Sequence, residues 1–511
     1  MTKIDIFYQN SPQNLGDEMV KYTSTRQISI EELKTPFYFG LDKNNRWAKL
    51  AAIITWDELA SIYAKTLRED FGRPAINARV VIGAMIIKEK KRLPDEETIE
   101  EIKENPYLQY FLGYEEFSNR APFDPSLFVT LRERLGVEAF EEMTRAFLER
   151  VESLEKPKAK KAEKKNRKPP AKAEDHRQGK LILDATVAPQ DIRFPTDLDL
   201  LNEAREHSER IVDVLWESGD GEKKPVTYRR KARADYLNLA RKKKKSAKEI
   251  RKAIRKQLGY VRRNIQTIKT MSNPKLGKPV KLDPRDLGLY WVLQEVYRQQ
   301  KEMYDNRNHQ VSDRIVHVRQ PHVRPIVRGK AGRDVEFGSK LSVSNVNGYS
   351  FLDYLGWDAY NESTHLKSQV ERYKDRFGFY PDTVIADKIY GTHENRKYLK
   401  ERDIHFSGKA LGRPPILTKE EIRLERRKRK EEQGIRNRIE GKFGEGKRRY
   451  SLDCVKAKTK RTSESWIATV FFVMNLAAWL RQDLFLSFFR LLEIVKELCW
   501  NRSRLAFLGQ S

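Results

Sequence analysis

The chain has 511 residues, with 101 Lys and Arg against 73 Asp and Glu and a formal net charge of +28. That length exceeds one ordinary domain and suggests roughly three, while 39% apolar residues with 8 Trp, 21 Tyr and 23 Phe exclude wholesale disorder. Cys454 and Cys499 are too few for a disulfide framework, which fits a reducing, cytoplasmic setting.

Residues 1–20 hold no continuous apolar run, so no secretory leader is expected. Residues 50–150 read as all-helical. Trp56–Arg68 is amphipathic and Ala78–Lys88 is the most apolar segment. Asp95–Glu104 carries acids in its first turn, as the helix dipole favours. Asp124–Arg134 opens with Asp then Pro, an N-cap followed by Pro at the first helical position, and Val137–Val151 closes the set. Lys156–Lys180 has 11 basic and 3 acidic residues, three prolines, and no Leu, Ile, Val or aromatic, so it reads as a flexible basic linker.

The pattern then changes. Lys180–Ala188 reads as a strand and Leu198–Val214 as a helix. Lys223–Lys269 follows with 19 basic and 2 acidic residues. Ile250, Ile254, Leu258 and Val261 mark one helical face within it. Leu287–Gln300 is helical. Asp334–Val346 and Gly348–Leu355 read as a hairpin around Asn347-Gly348. Ser363–Phe377 is helical, Asp382–Ala386 a buried-type strand, His393–Glu401 a helix and Ile404–Gly408 a short strand. A charged helix spans Lys419–Arg449, and apolar helices fill Ser463–Glu497. Trp466–Leu480, 15 residues with Asn475 inside, falls short of the ~20 needed to span a bilayer and reads as a buried helix. Strands alternating with helices from residue 180 give an α/β layer.

Charge is localised. The linker and the Lys223–Lys269 block together carry +25 of the +28. Dense cations on a helix with one apolar face suit phosphate neutralisation on nucleic acid, although a solvated helix face has the same composition. Lys243, Lys244, Arg251 and Arg255 are the candidate phosphate contacts there.

Three acids stand out by position. Asp184 follows Leu181-Ile182-Leu183 and Asp387 follows Thr383-Val384-Ile385-Ala386, each expected at the end of a buried strand. In open α/β sheets the strand carboxyl ends face the ligand crevice. Glu440 lies beside Ile439 and Phe443, the expected docking face of the long helix. Paired buried carboxylates are costly unless a cation joins them. Hard oxygen donors suit Mg²⁺ or Mn²⁺, and two such ions can serve phosphodiester chemistry. No GxxxxGK[ST], GxGxxG or zinc-ligand spacing occurs in the chain, so ATP use and a zinc site are not expected. Tyr236, Tyr260 and Trp291 are aromatic enough to stack on a base, but read more simply as core of the basic block. His393, six residues after Asp387, reads as structural.

Arg436, Glu440 and Lys447 match the Tyr-x2-Arg-x3-Glu-x6-Lys signature of the DDE transposases of bacterial insertion sequences. The stretches LILDATVAP, GRDVEFGSK, VIADKIYG, LREDFGRPAINARVVIGAMII and FDPSLFVTLRERLG extend the resemblance, to the type-five insertion-sequence transposases and close relatives, over about residues 40–480. The signature Tyr position is Gln433, and Asp387 and Glu440 are only 53 residues apart, too close for the large insertion some relatives carry there.

The resemblance implies an α/β fold: an RNase H-like catalytic domain with a basic helical insertion, preceded by an all-helical DNA-binding domain. The expected boundaries are 1–155 for the helical domain, 156–179 for the linker, 180–215 with 330–460 for the catalytic domain, 216–329 for the insertion and 461–511 for the C-terminal helices. It implies Asp184, Asp387 and Glu440 as catalytic and metal-binding acids with two Mg²⁺ (or Mn²⁺) ions, and Arg436 and Lys447 on DNA phosphate; Arg448, next in the chain, is a further candidate grip on the cut strand or a solvated helix end. The implied partners are double-stranded terminal inverted repeats and target DNA, bound by a homodimer or larger multimer, with no membrane involved. The expected setting is the bacterial cytoplasm, at the nucleoid. A metal nuclease without strand transfer, or a non-catalytic nucleic-acid-binding protein, are the alternatives.

Overall fold

The computed structural model describes residues 40–67, 75–159, 177–217, 223–272, 282–330, 333–408, 412 and 418–508. From Arg46 to Ala159 the described residues are largely helical: α1 (Arg46–Ile53), α2 (Trp56–Ala64), α3 (Ala78–Lys91), α4 (Asp95–Glu104), α5 (Pro106–Phe111), α6 (Leu127–Arg134) and α7 (Val137–Ala159). Asn45, Asn77 and Asn105 cap α1, α3 and α5, each side chain accepting from the backbone N–H two residues on. α2 stops short of the expected Arg68. α6 starts three residues after Asp124, whose carboxylate accepts from the Ser126 N–H instead of capping the helix.

The sheet is built from β1 (Lys180–Pro189), β2 (Arg324–Lys330), β3 (Arg333–Val346), β4 (Tyr349–Gly356), β5 (Thr383–Ile385) and β6 (His405–Phe406). Its order is β2-β3-β1-β5-β6, with β4 also on β3. The β3 partnerships are antiparallel, whereas β5 and β6 run parallel to β1. The expected hairpin forms, with Asn347 and Gly348 both at positive φ, 52° and 89°, the turn chemistry this dipeptide favours. β2 was not legible in the sequence: Arg and Pro interrupt its apolar residues.

Among the described residues, four helices lie between β1 and β2: α8 (Asp197–Glu217), α9 (Arg229–Ala240), α10 (Ala247–Met271) and α11 (Pro284–Asn306). They have a core of their own, in which Leu201, Ile211 and Leu215 of α8 meet Ile254, Leu258 and Val261 of α10 and Leu293 and Val296 of α11. α8, expected to belong with the strands, thus packs with the basic block. Ile250 lies at the solvent-exposed end of the expected apolar face. A capping box of Ser246 and Glu249 starts α10.

The remaining helices are α12 (Leu366–Phe377), α13 (His393–Glu401), α14 (Lys419–Arg449) and α15 (Lys460–Leu508). The front helices, the sheet and α15 share one continuous core. α15 carries the expected buried stretch, and its apolar half packs against α3, α6 and α7 as well as β4. The front helices and C-terminal helix are therefore joined to the sheet through Trp466–Leu480. Residues Lys460–Leu484 are long and apolar enough to cross a membrane by length and composition, and 89% of that apolar window is buried inside the protein. The expected linker is shorter than its composition implies. α7 continues to Ala159, and Arg177 and Gln178 already bond to the Tyr380 segment. Residues 160–176 lie outside the described residues.

Candidate active site

Asp184 lies in the middle of β1, opposite Val343 of β3, and not at the strand end the sequence suggested. Its other neighbour explains the difference. β5 pairs with β1 only from Lys180 opposite Thr383 to Ile182 opposite Ile385. Asp184 and Asp387 have that same sequence offset, each two residues past the last bonded pair, Asp387 having already left β5. The long antiparallel strand continues past its short parallel partner, leaving Asp184 at an open shoulder of the sheet.

Asp387 caps a 3₁₀ turn, Lys388–Tyr390, accepting from the Lys388 N–H at 2.7 Å. α14 is started by a capping box of Thr418 and Glu421 and lies against β1 and β5. Ile439 is fully buried there and Phe443 packs at the edge of the core. Arg436 and Glu440, one helical turn apart, project beside that docking face. Arg436 Nη1 stands 3.0 Å from Asp387 Oδ1 and its Nη2 donates to Glu440 Oε1 at 3.1 Å. The two carboxylates are 49% and 54% exposed, against 20% for the arginine.

Burial pushes the Asp184 carboxyl up to about 6. The Ala185 N–H, 2.8 Å away, opposes this, as does Arg436; the charges of Glu362 and Glu440 add to it. Glu362 was missed in the sequence. It starts a 3₁₀ turn (Glu362–His365) after β4, in a polar loop with no pattern to single it out. It is paired with Lys340 of β3 at 2.9 Å. The Tyr390 hydroxyl is buried without a hydrogen-bond partner, and burial followed by Glu362 and Asp184 holds it well above the usual phenol range.

The oxygen donors of Asp184, Asp387 and Glu440 fit a hard divalent cation chemically. Among the described residues, however, no three ligating side chains converge closely enough to hold an ion. Arg436 takes the counter-charge role between Asp387 and Glu440. Lys447 is half-buried in the last turn of α14. Arg448 is exposed, bonding its Nε to the Gly444 carbonyl, and its own carbonyl accepts from Arg92 of the front helices at 3.0 Å. Lys243 and Lys244 are exposed in the turn before α10, and Arg255 is exposed on it. Arg251 is used internally, stacked 4.0 Å over the Tyr304 ring and bonded to its carbonyl at 2.9 Å.

Residues 384–477 match the family model described as a transposase DDE domain, and residues 37–134 match one described as a transposase domain, DUF772. In these two spans the chain is similar to transposase domains, the one at residues 384–477 being of the DDE type. The DDE-domain match contains Asp387, Arg436, Glu440 and Lys447; Asp184 and the basic helices precede it. The other matched span contains α1–α6. A Rhizobium meliloti protein described as uncharacterized protein ORF8 in the nfe locus is 32% identical over 157 residues, 29% of this chain and 64% of that relative. The alignment thus spans less than two thirds of the relative's length. No solved structure matches.

Proposed function

We propose that the protein is a DNA transposase that cuts at the terminal inverted repeats of its element and joins the freed 3′-OH ends to target DNA. The observation that carries this reading is the Arg436 guanidinium, which joins Asp387, just past β5, to Glu440 on α14, while Asp184 on the neighbouring β1 feels the charges of Arg436 and Glu440. The mixed sheet of antiparallel then parallel strands supports an RNase H-like catalytic domain.

Asp184, Asp387 and Glu440 would hold two Mg²⁺ or Mn²⁺ ions, which supply Lewis-acid activation of water or a 3′-OH and stabilise the leaving oxygen. Metal binding requires Arg436 to yield its carboxylate partners. The guanidinium, freed, is then placed to bond a DNA phosphate in its planar fork. Lys447 and Arg448 neutralise phosphates beyond the cut. Lys243, Lys244 and Arg255 hold the flanking duplex, and the front helices contribute to end recognition. Two transposon ends require two copies of the chain, so the active form is a dimer or larger multimer.

The test is Asp387→Ala with a labelled terminal-repeat duplex in Mg²⁺. Cleavage is lost while duplex binding stays within about twofold, because the substitution removes a ligand and not a phosphate contact. Unchanged cleavage would sink the assignment. Precleaved ends test the joining step: joined products support transposition, and cut products without joining reduce the activity to a nuclease. Salt-sensitive binding with no metal-dependent product overturns catalysis altogether.

A further inference from the structure

On the flank of α14 opposite Glu440 lies a cavity of about 620 Å³. Its walls come from the start of β1 (Gly179, Lys180), the β3–β4 hairpin (Asn345, Asn347, Gly348), α14 (Ile435, Arg438, Lys442) and Gln482 of α15. Among the described residues, three cations and three amides line it, with neither a carboxylate nor an aromatic ring. Lys180 and Arg438 are exposed and form no ion pair with a described residue. The amides are set in place: Gln482 accepts from the Tyr349 hydroxyl at 2.9 Å and donates to the Asn347 carbonyl at 3.1 Å, and Asn345 donates to Ser350 Oγ at 3.1 Å.

The surroundings are over-supplied with positive charge. Glu445 serves both Lys442, at 3.5 Å, and Arg481, at 2.6 Å. Lys90 of α3 is pushed down to about 8 by burial, then by Arg46 and Arg481, with the Glu445 charge opposing. Burial also lowers the Lys442 ammonium. Such a place is electrostatically incomplete without an anion. The absence of aromatic rings argues against a nucleobase, and the cation and amide donors suit phosphate oxygens.

We propose that this cavity is a second DNA-backbone site, taking phosphates of duplex that is not being cut, with Lys180, Arg438 and Lys442 as its contacts. The inference rests on the transposase reading for its choice of DNA as the anion. α14 stands as a ridge between the two surfaces: Arg436 and Glu440 line one flank, while Ile435, Arg438 and Lys442 line the other. Asp184 is four residues along β1 from Lys180, about 13 Å at the usual strand rise. A duplex seated here would lie on the flank of α14 away from Arg436 and Glu440.

The full-length chain is compared with the Lys180→Gln/Arg438→Gln double variant by fluorescence anisotropy on a duplex of arbitrary sequence, between about 50 and 200 mM salt. Both side chains are exposed, so the variant folds, as circular dichroism will verify. Each lost phosphate contact flattens the slope of log K against log salt by about 0.9, so the expected change is about 1.8. Metal-dependent cutting of a short terminal duplex stays within about twofold, since no residue on the acid flank of α14 changes. An unchanged salt slope overturns the site, and so does a flattened slope accompanied by equal loss of cutting. Failure of the wild-type chain to cut any DNA would instead overturn the transposase reading, while leaving the slope comparison readable.

Discussion

Arg436 reaches from α14 to Asp387, the cap of the 3₁₀ turn after β5, 3.0 Å away, and holds Glu440 with its other terminal nitrogen. One guanidinium thus links two carboxylates that come from elements 53 residues apart. The Arg436 Nε donor is left buried without a partner, so the arginine is not fully satisfied where it stands. A divalent ion held as proposed would compete with this guanidinium for the same oxygens.

Arg436→Gln should therefore tighten divalent binding while weakening DNA cutting. Both carboxylates are about half exposed and solvent-screened, so the competing pair contributes at most about 1 kcal/mol. That corresponds to a gain of about fivefold in Mn²⁺ affinity, measured by titration calorimetry without DNA. Cutting falls by about tenfold or more, because a planar phosphate donor is lost. Weaker Mn²⁺ binding in the variant would show that the arginine orients the ligands instead of opposing the metal.

The sign of the Asp184 shift sets a second expectation. Its carboxyl titrates near 6 in the fold, raised mainly by burial, against about 4 in an unfolded chain. The charged form is disfavoured, so the cost is absent below pH ~4, grows between ~4 and ~6, and persists above. Asp184→Asn should stabilise the metal-free protein at pH 7.5 by up to about 3 kcal/mol and give little at pH 4. Urea midpoints at the two pH values, in chelator, measure the difference. Equal midpoints at pH 7.5 would mean that the carboxylate finds compensation in the fold. The same substitution removes cutting, a trade of stability for a charged site.

The sequence made much of this site legible, through different physical signals. Short apolar runs ending in Asp identified β1 and β5, because only strands buried on both faces read that way. The long helix was bounded correctly at Lys419 and Arg449 by its capping residue and its basic last turn. Register was not legible: that Lys180–Ile182 pair with Thr383–Ile385, leaving Asp184 past the paired stretch, depends on where the parallel pairing begins, which no single strand encodes. Glu362 was equally hidden, since a lone acid in a polar loop has no period. The grouping of α8 with α10 and α11 was missed because its apolar face suits a sheet or a helix equally well.

The basic block separates structural from available cations. α10 supplies Ile254, Leu258, Val261 and Ile268 to the helical core, so deleting Lys223–Lys269 would unfold α8 and α11 along with the charge. Substitution is the sound test. Lys243→Gln/Lys244→Gln/Arg255→Gln should flatten the salt dependence of DNA binding by up to about 2.7, from about 0.9 for each phosphate contact, and leave the melting temperature unchanged. Arg251→Gln should do the reverse, losing about 1–2 kcal/mol through the Tyr304 stack and carbonyl bond with little change of slope. If Arg251 alone moved the slope, its internal contacts would be open on DNA.

His322 gives a pH dependence away from the acids. Its ring meets Trp357 edge-on, 4.4 Å between centroids, and Nε2 is buried without a partner. Burial, then Arg324, Lys460 and His317, push its pKa down to about 4. A depressed histidine contributes stability that is fully present above its unfolded value near 6.5 and is lost as pH falls towards 4. Wild type should therefore lose up to about 3 kcal/mol over that window through this ring. His322→Phe keeps an aromatic edge against Trp357, leaves no nitrogen to protonate, and should abolish most of that loss. Melting curves at about pH 7 and pH 4.5 separate the cases. Parallel acid destabilisation in wild type and His322→Phe would place the titrating group elsewhere, and would mean that the cations around His322 are relaxed by solvent.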